Sequence, residues 1–349
     1  MLIREQVPLA PLTTLGVGGP AAYFAEARSE AEVIEAVGVA RSRQLPLFIM
    51  GGGSNLVVAD AGFPGVVLRI GITGLSRAAT SIGIALFTAG AGMDWDALVA
   101  RTLEANCAGL ECLSGIPGTV GGTPVQNVGA YGQEASETIW EVRALDLRSM
   151  ETKTLSNSDC GFAYRSSIFN TADRDRYVLL QVSFALHEAG KPCTRYADLQ
   201  KFFAEHPGEP TLAELRAAVR EIRHRKAMLI VPRDDDARSA GSFFKNPVVP
   251  QLVFEELSTR LASRGLQLPS YPAPDGFRKL PAAWLVEHAG FAKGYAKGAA
   301  GISRKHALAI INRGGATAAE IIALKDEIQA RVHDVFGIHL VPEPVFVGF

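Results

Sequence analysis

Leu47-Phe48-Ile49-Met50-Gly51-Gly52-Gly53-Ser54-Asn55 joins four apolar residues to three consecutive glycines, and that junction decides the fold. A short apolar run of this kind reads as a buried strand. Glycines at its end let main-chain N–H groups converge on a phosphate with no Cβ in the way. Just upstream, Ser29 followed by Glu32 is a capping box that opens a helix to about Arg43. Helix, strand and glycine loop therefore form one unit. Outward from it, strands are expected near 66–70 and 83–89, a helix over Trp95–Glu104, a glycine-rich run over 115–132, and strands at 139–147 and 177–186.

The second half changes character. Thr211 with Glu214 caps a helix to about Lys226, residues 281–288 form a helix stopped by Gly290, and 307–311 reads as a strand. Thr317 with Glu320 caps a helix whose apolar face is Ile321, Leu324, Ile328, Val332 and Val335. Residues 230–240, with Asp234, Asp235 and Asp236, read as a polar loop between domains.

Composition bounds the function. A chain of 349 residues with 48% apolar and 20% charged content exceeds what one core fills, so two or three domains are expected. A net charge of −1 with interspersed signs carries no footprint for nucleic acid or an anionic membrane, and a small-molecule partner is expected. Cys107, Cys112, Cys160 and Cys193 lack metal-ligand spacing and read as buried thiols of a reducing cytosol, with no metal. The N-terminal stretch has no uninterrupted apolar core, and no run of about 18 apolar residues occurs. A cytoplasmic protein, neither secreted nor membrane-spanning, is expected.

Two further glycine clusters, Gly90-Ala91-Gly92 and Gly115-Ile116-Pro117-Gly118-Thr119-Val120-Gly121-Gly122, accompany the first. Each alone reads as a tight turn; together they suggest a dinucleotide. A Walker loop would need Gly-Lys-Ser/Thr, which is absent, and Gly90-Ala91-Gly92 continues into Met93-Asp94-Trp95 rather than a Rossmann fingerprint. The ordered set resembles the FAD-binding domain of the vanillyl-alcohol-oxidase (PCMH-type) superfamily. Relatives that attach FAD covalently often carry His near the first loop; Ser54 stands in that stretch here, so the resemblance implies noncovalent FAD.

The run from Gly115 through Pro124-Val125-Gln126-Asn127-Val128-Gly129-Ala130-Tyr131-Gly132 resembles the signature of the UDP-N-acetylenolpyruvoylglucosamine reductase family, longer type I form. Four further segments agree in order: Leu12-Thr13-Thr14-Leu15-Gly16-Val17-Gly18-Gly19, Phe162-Ala163-Tyr164-Arg165-Ser166-Ser167-Ile168-Phe169, Ala240-Gly241-Ser242-Phe243-Phe244-Lys245-Asn246-Pro247, and Pro342-Glu343. The resemblance implies hydride transfer from NADPH to FAD and on to the enolpyruvyl group of a UDP-sugar. It places Arg165 on the carboxylate, Ser242 as proton donor to C2, and Glu343 as stabiliser of the enolic intermediate. Guanidinium suits the first task because its planar donors grip a carboxylate bidentately. Near the substrate carboxylate, Glu343 would be pushed towards its protonated form.

FAD contacts are expected from Gly51, Gly52, Gly53, Ser54, Asn55, Gly115, Gly118, Gly121, Gly122, Asn127 and Gly129, and substrate contacts from Tyr164, Tyr196, Lys226, Asn246 and His306. Relatives often continue Glu-Val-Arg after the glutamate, whereas this chain has Glu343-Pro344-Val345. The expected architecture is α+β, with a FAD domain of two subdomains over 15–187 and an α/β substrate domain over 188–349 whose tail returns to the flavin, in a monomer. Another flavin oxidoreductase of the superfamily, or a nucleotide-sugar binding protein without turnover, are the alternatives.

Overall fold

The computed structural model describes residues 1–79, 83–204 and 208–349. Mixed helix and sheet give an α+β fold, and the chain forms two compact units, neither of them one continuous stretch. The first comprises Met1–Pro8, Pro20–Gly53 and Phe63–Leu229; the second comprises Leu9–Gly19, Ser54–Gly62 and Ile230–Phe349. The first unit thus runs on past His187, where the FAD domain is expected to end, to Leu229. The reason is burial: the helix Leu212–Arg225 packs Leu215, Ala218, Val219 and Ile222 around Leu199 and Cys112, all in the first unit. The expected start at Leu15 moves too, because Leu15 and Val17 enter the core of the second unit.

Among the described residues the first unit holds the small antiparallel hairpin Gly129–Ala130 with Gln133–Glu134 and two larger sheets. One runs in the order Ile3–Pro8, Pro20–Ala27, Phe63–Ile70, Leu47–Met50, with the first pair antiparallel and the others parallel. The helix Glu30–Ser42 covers it. Ser29 Oγ accepts from Glu32 N–H at 3.2 Å, while Glu32 Oε2 accepts from Arg28 N–H at 2.6 Å, one residue before the expected capping-box partner. Val33, Ala36 and Val37 pack on Ala25, Leu68 and Ile70, each buried valine, leucine or isoleucine among them contributing about 1.5–3 kcal/mol.

The other sheet is antiparallel, in the order Glu151–Ser156, Ile139–Asp146, Tyr177–Glu188, Ile84–Gly90, Leu75–Ala79. The helix Trp95–Glu104 lies where expected because Asp94 caps it, accepting from Ala97 N–H at 2.8 Å. Trp95 is buried against Phe184, and its ring N–H finds the Leu113 carbonyl at 3.0 Å, which satisfies the one polar atom it takes inside.

In the second unit the helix Ala318–Phe336 buries Ile321, Leu324, Ile328 and Val332. Phe336 completes the face, and Val335 is only partly buried. The strand expected at 307–311 begins later, at Ile310–Asn312, because the Leu308 carbonyl accepts from Phe243 N–H at 2.8 Å, outside that sheet. Residues 230–240, expected as a polar loop between domains, open the second unit, where Asp236 is fully buried and takes two 2.8 Å bonds from Arg304, one from its main chain and one from Nε. Leu56–Val58, unmarked in the sequence, pairs in parallel with Val345–Val347. Three of the four cysteines are buried and Cys193 is half-buried. Among the described residues no helix is long and apolar enough to cross a membrane.

Candidate active site

In the first unit the glycine clusters meet backbone to backbone. A Cβ on Gly52 would lie 2.7 Å from Gly118 Cα, one on Gly51 2.8 Å from Thr119 Oγ1, and one on Gly92 2.6 Å from Gly71 Cα. Only glycine permits such approaches. Among the described residues the amides of Gly51, Gly52, Gly53, Gly118 and Thr119 meet no acceptor, and the buried Thr119 hydroxyl has no partner. Unpaired donors at glycine loops are the chemistry of a phosphate cradle, so the residues fit the pyrophosphate of FAD. Gly92 and Thr119 also line an open cleft of about 430 Å³ with Glu26, Arg28, Arg69 and Thr73.

Other residues expected at FAD make bonds within the chain. Gly121 N–H and Gly122 N–H are committed to the carbonyls of Ala91 at 2.8 Å and Thr119 at 2.9 Å, so these glycines shape the loop. Gly115 is pinned by its N–H to Asp96 at 2.6 Å and by its carbonyl to Arg223 Nε at 3.1 Å. Burial raises the Asp96 carboxyl, but Arg216, the Gly115 amide and Arg220 outweigh it and hold the group below the ordinary carboxylate range. Asn127 is buried: Nδ2 donates to Glu134 Oε2 at 2.8 Å and to the Ala163 carbonyl at 3.2 Å, and Oδ1 accepts from Ser136 N–H at 3.0 Å. It therefore anchors the turn that carries Tyr164 and Arg165.

That turn is closed by reciprocal main-chain bonds between Ala163 and Ser166, at 3.0 and 3.1 Å. Arg165 stands at its tip with φ +53°, a left-handed conformation that a non-glycine residue holds only when its surroundings enforce it. The enforcing contacts are Asn170 Nδ2 on the Arg165 carbonyl and Arg165 Nη2 on the Gly129 carbonyl at 2.7 Å. Gly129 matters as glycine here, since a Cβ would come 3.0 Å from Arg165 Nη1. The guanidinium also lies 5.3 Å from the Tyr164 ring centroid, within cation–π range.

Tyr196 is 42% exposed, which excludes a core-packing role. Its ring meets Tyr131 edge-on at 5.5 Å. Lys226, at the end of the helix Leu212–Arg225, donates to Asp198 Oδ2 at 2.6 Å, with its side chain 43% exposed. Burial pushes the Tyr131 phenol up and pulls the Arg223 guanidinium down, though arginine remains charged. Tyr131, Asp198 and Arg223 thus join Tyr196 and Lys226; sequence reading passed over them, and only the position of Arg223 on the buried face of its helix could have drawn notice.

In the second unit, Ser242, His306 and Glu343 come together. Gly241, at φ +76°, turns the chain, and the buried Phe243 and Phe244 hold it down. Phe243 accepts from Glu343 N–H at 2.9 Å, and Lys245 N–H reaches the Val341 carbonyl at 2.9 Å. Ser242 Oγ lies 3.2 Å from His306 Nε2. Asn55, expected at the cofactor, donates from Nδ2 to the Glu343 carbonyl at 3.3 Å and accepts from Val345 N–H at 2.9 Å. The Ser54 carbonyl accepts from Thr14 Oγ1 at 3.3 Å. Asn246 Oδ1 caps the helix Ala282–His288 by accepting from Ala282 N–H at 2.9 Å, so any substrate contact would come from its Nδ2.

Comparison with known proteins now bears on this geometry. Residues 21–153 match the FAD binding domain family, and residues 232–347 match the C-terminal domain of UDP-N-acetylenolpyruvoylglucosamine reductase. The UDP-N-acetylenolpyruvoylglucosamine reductase of Thermobifida fusca is 48% identical over 350 residues, covering 99% of this chain and 98% of its own length. The chain belongs to the UDP-N-acetylenolpyruvoylglucosamine reductase family. The Streptomyces avermitilis reductase is likewise 48% identical over 99% of this chain and 94% of its own. The crystal structure of the Thermus caldophilus enzyme superposes with a TM-score of 0.66 at 25% identity, covering 99% of this chain and all of that one. As a member of this family the protein is a FAD-dependent oxidoreductase.

One consequence for FAD retention is direct. Gly52→Ala places a Cβ against Gly118 Cα at 2.7 Å and its carbonyl carbon at 2.9 Å. Main-chain atoms cannot swing away, so overpacking is expected to cost about 1–3 kcal/mol and to open the cradle. The variant should melt earlier and purify with less flavin per chain. Unchanged melting together with full flavin content would refute the cradle.

Proposed function

We propose that this enzyme reduces the enol ether of UDP-N-acetylglucosamine enolpyruvate to UDP-N-acetylmuramate with electrons from NADPH, a step in making peptidoglycan precursors in the cytoplasm. The observation that carries this reading is the 48% identity to a named reductase over 99% of the chain. Noncovalently bound FAD supplies the redox chemistry, accepting hydride from NADPH and delivering it to C3 of the enolpyruvyl group.

The protein's own residues position and polarise. Arg165, steadied on the Gly129 carbonyl, grips the substrate carboxylate, where negative charge gathers as C3 receives hydride. Ser242 gives a proton to C2. Glu343 hydrogen-bonds to the enolic intermediate. Tyr164, Tyr196 and Asn246 contact the UDP-sugar, and Lys226 offers a point charge to its diphosphate. NADPH and the enol ether act in turn on a monomer, which predicts ping-pong kinetics.

Purified protein should be yellow, and its consumption of NADPH should depend on the enol ether, with one NADPH used per UDP-N-acetylmuramate formed. Rapid NADPH use supported by oxygen alone would favour an oxidase of the same superfamily. A colourless protein that binds the UDP-sugar without turnover would make it a binding module.

A further inference from the structure

We propose that His306 is a positioning residue that fixes the direction of the Ser242 hydroxyl, so that its proton is presented to substrate; this rests on the reading of Ser242 as proton donor. Two hydrogen bonds on one ring carry the inference. Leu308 N–H donates to His306 Nδ1 at 3.4 Å, and His306 Nε2 lies 3.2 Å from Ser242 Oγ. A main-chain N–H can only donate, so Nδ1 is the bare nitrogen and the ring proton sits on Nε2. Nε2–H then donates to Ser242 Oγ. The serine proton cannot point back at the ring and is turned outward.

This polarity is the reverse of a serine nucleophile activated by a histidine base, where the ring takes the serine proton. Here the ring gives a hydrogen bond, and its worth grows during the reaction. Once C3 has received the hydride that the proposed activity supplies, an electron pair is left at C2. The Ser242 O–H bond breaks as the C2–H bond forms, and the electron pair of the broken bond stays on Oγ. The alkoxide keeps the Nε2–H bond, now charge-assisted and stronger, until solvent water returns a proton to it. The fold holds both partners. Ser242 precedes Phe243, whose N–H is fixed to the Leu308 carbonyl at 2.8 Å, and Ala309 N–H closes on the His306 carbonyl at 3.1 Å.

The test uses the holoenzyme and two substitutions that split the ring in half. Glutamine can place an amide N–H near the position of Nε2, whereas asparagine reaches only that of Nδ1. His306→Asn and His306→Ala are expected to slow reoxidation of reduced enzyme by the enol ether about tenfold, the order of one lost hydrogen bond. His306→Gln should restore most of that rate, and all three should be reduced by NADPH at the normal rate. In the Ser242→Ala background, His306→Ala should add nothing. Independently of turnover, 15N NMR of histidine-labelled enzyme without substrate should show His306 as the Nε2–H tautomer. An Nδ1–H tautomer, or equal slowing by glutamine and asparagine, overturns the proposal. If Ser242→Ala alone is reoxidised normally, it is the proton-donor assignment that falls. The two failures differ, because the tautomer is read without any reaction.

Discussion

Ser242→Ala is expected to leave flavin reduction by NADPH intact and to slow the second half-reaction, reoxidation by the enol ether, about 10² to 10⁴-fold, the usual worth of a general acid. The division follows from where a proton is needed. Accepting hydride from NADPH requires none from Ser242, whereas the C2 centre cannot become product without one. The hydroxyl is a weak acid, but its acceptor is a carbanion or enolate, and it is held 3.2 Å from His306 Nε2. Structural damage should be slight, since the half-buried serine gives up only a hydroxyl and the neighbouring Phe243 and Phe244 keep the segment in place. Stopped-flow flavin absorbance separates the two half-reactions. Collapse of the first with a normal second would refute the assignment.

Arg165→Lys should lower kcat by about 10² to 10³-fold, the range for losing a donor aimed at developing charge, with melting temperature nearly unchanged. Charge is conserved, so a general electrostatic role would survive the substitution. Geometry is not conserved. The arginine meets the Gly129 carbonyl at 2.7 Å with Nη2 while its fork and the Tyr164 ring fix the plane; one ammonium cannot keep that tether and also meet both oxygens of a carboxylate. Both residues must adopt φ near +53°, so backbone strain cancels in the comparison. Steady-state kinetics with the enol ether decide it. A lysine variant with normal kcat and raised KM would mean that Arg165 only binds the ground state.

Much of this was legible in the sequence where cause and effect are local. Ser29 before Glu32, Thr211 before Glu214 and Thr317 before Glu320 each announce a helix, because a cap acts within one turn. The glycine loops were legible as well, since their function demands the absence of side chains. What escaped notice depends on distant partners. Leu56–Val58 carries no alternation and becomes a strand only because Val345–Val347 pairs with it. The helix Gln251–Ala262 starts at Pro250 with no side-chain cap, and its beginning carries no signal. The compact units were not legible, because no shift in composition marks Leu229, and because Leu9–Gly19 and Ser54–Gly62 join a core formed mostly from residues after 230.

The site shows the same pattern. Arg165, Ser242 and Glu343 stood out through their motifs, yet the groups that aim them did not. Asn127, which reads as a cofactor contact, also anchors the Arg165 turn. Asn55 holds the Glu343 carbonyl. Asn246 caps a helix. An amide side chain carries both donor and acceptor, so its use is set by whatever the fold brings beside it.

The pairing of Leu56–Val58 with Val345–Val347 also imposes an order on biosynthesis. The first partner is made about 290 residues before the second, which at typical ribosomal speeds is on the order of 15 to 60 s. Throughout that interval an apolar segment flanking the glycine loop has no strand to pair with, and the second unit cannot close. The first unit can condense early, whereas the segment bearing Glu343 must arrive late to seal the second, leaving the nascent chain exposed to chaperones and to aggregation until residues 345–347 have been made.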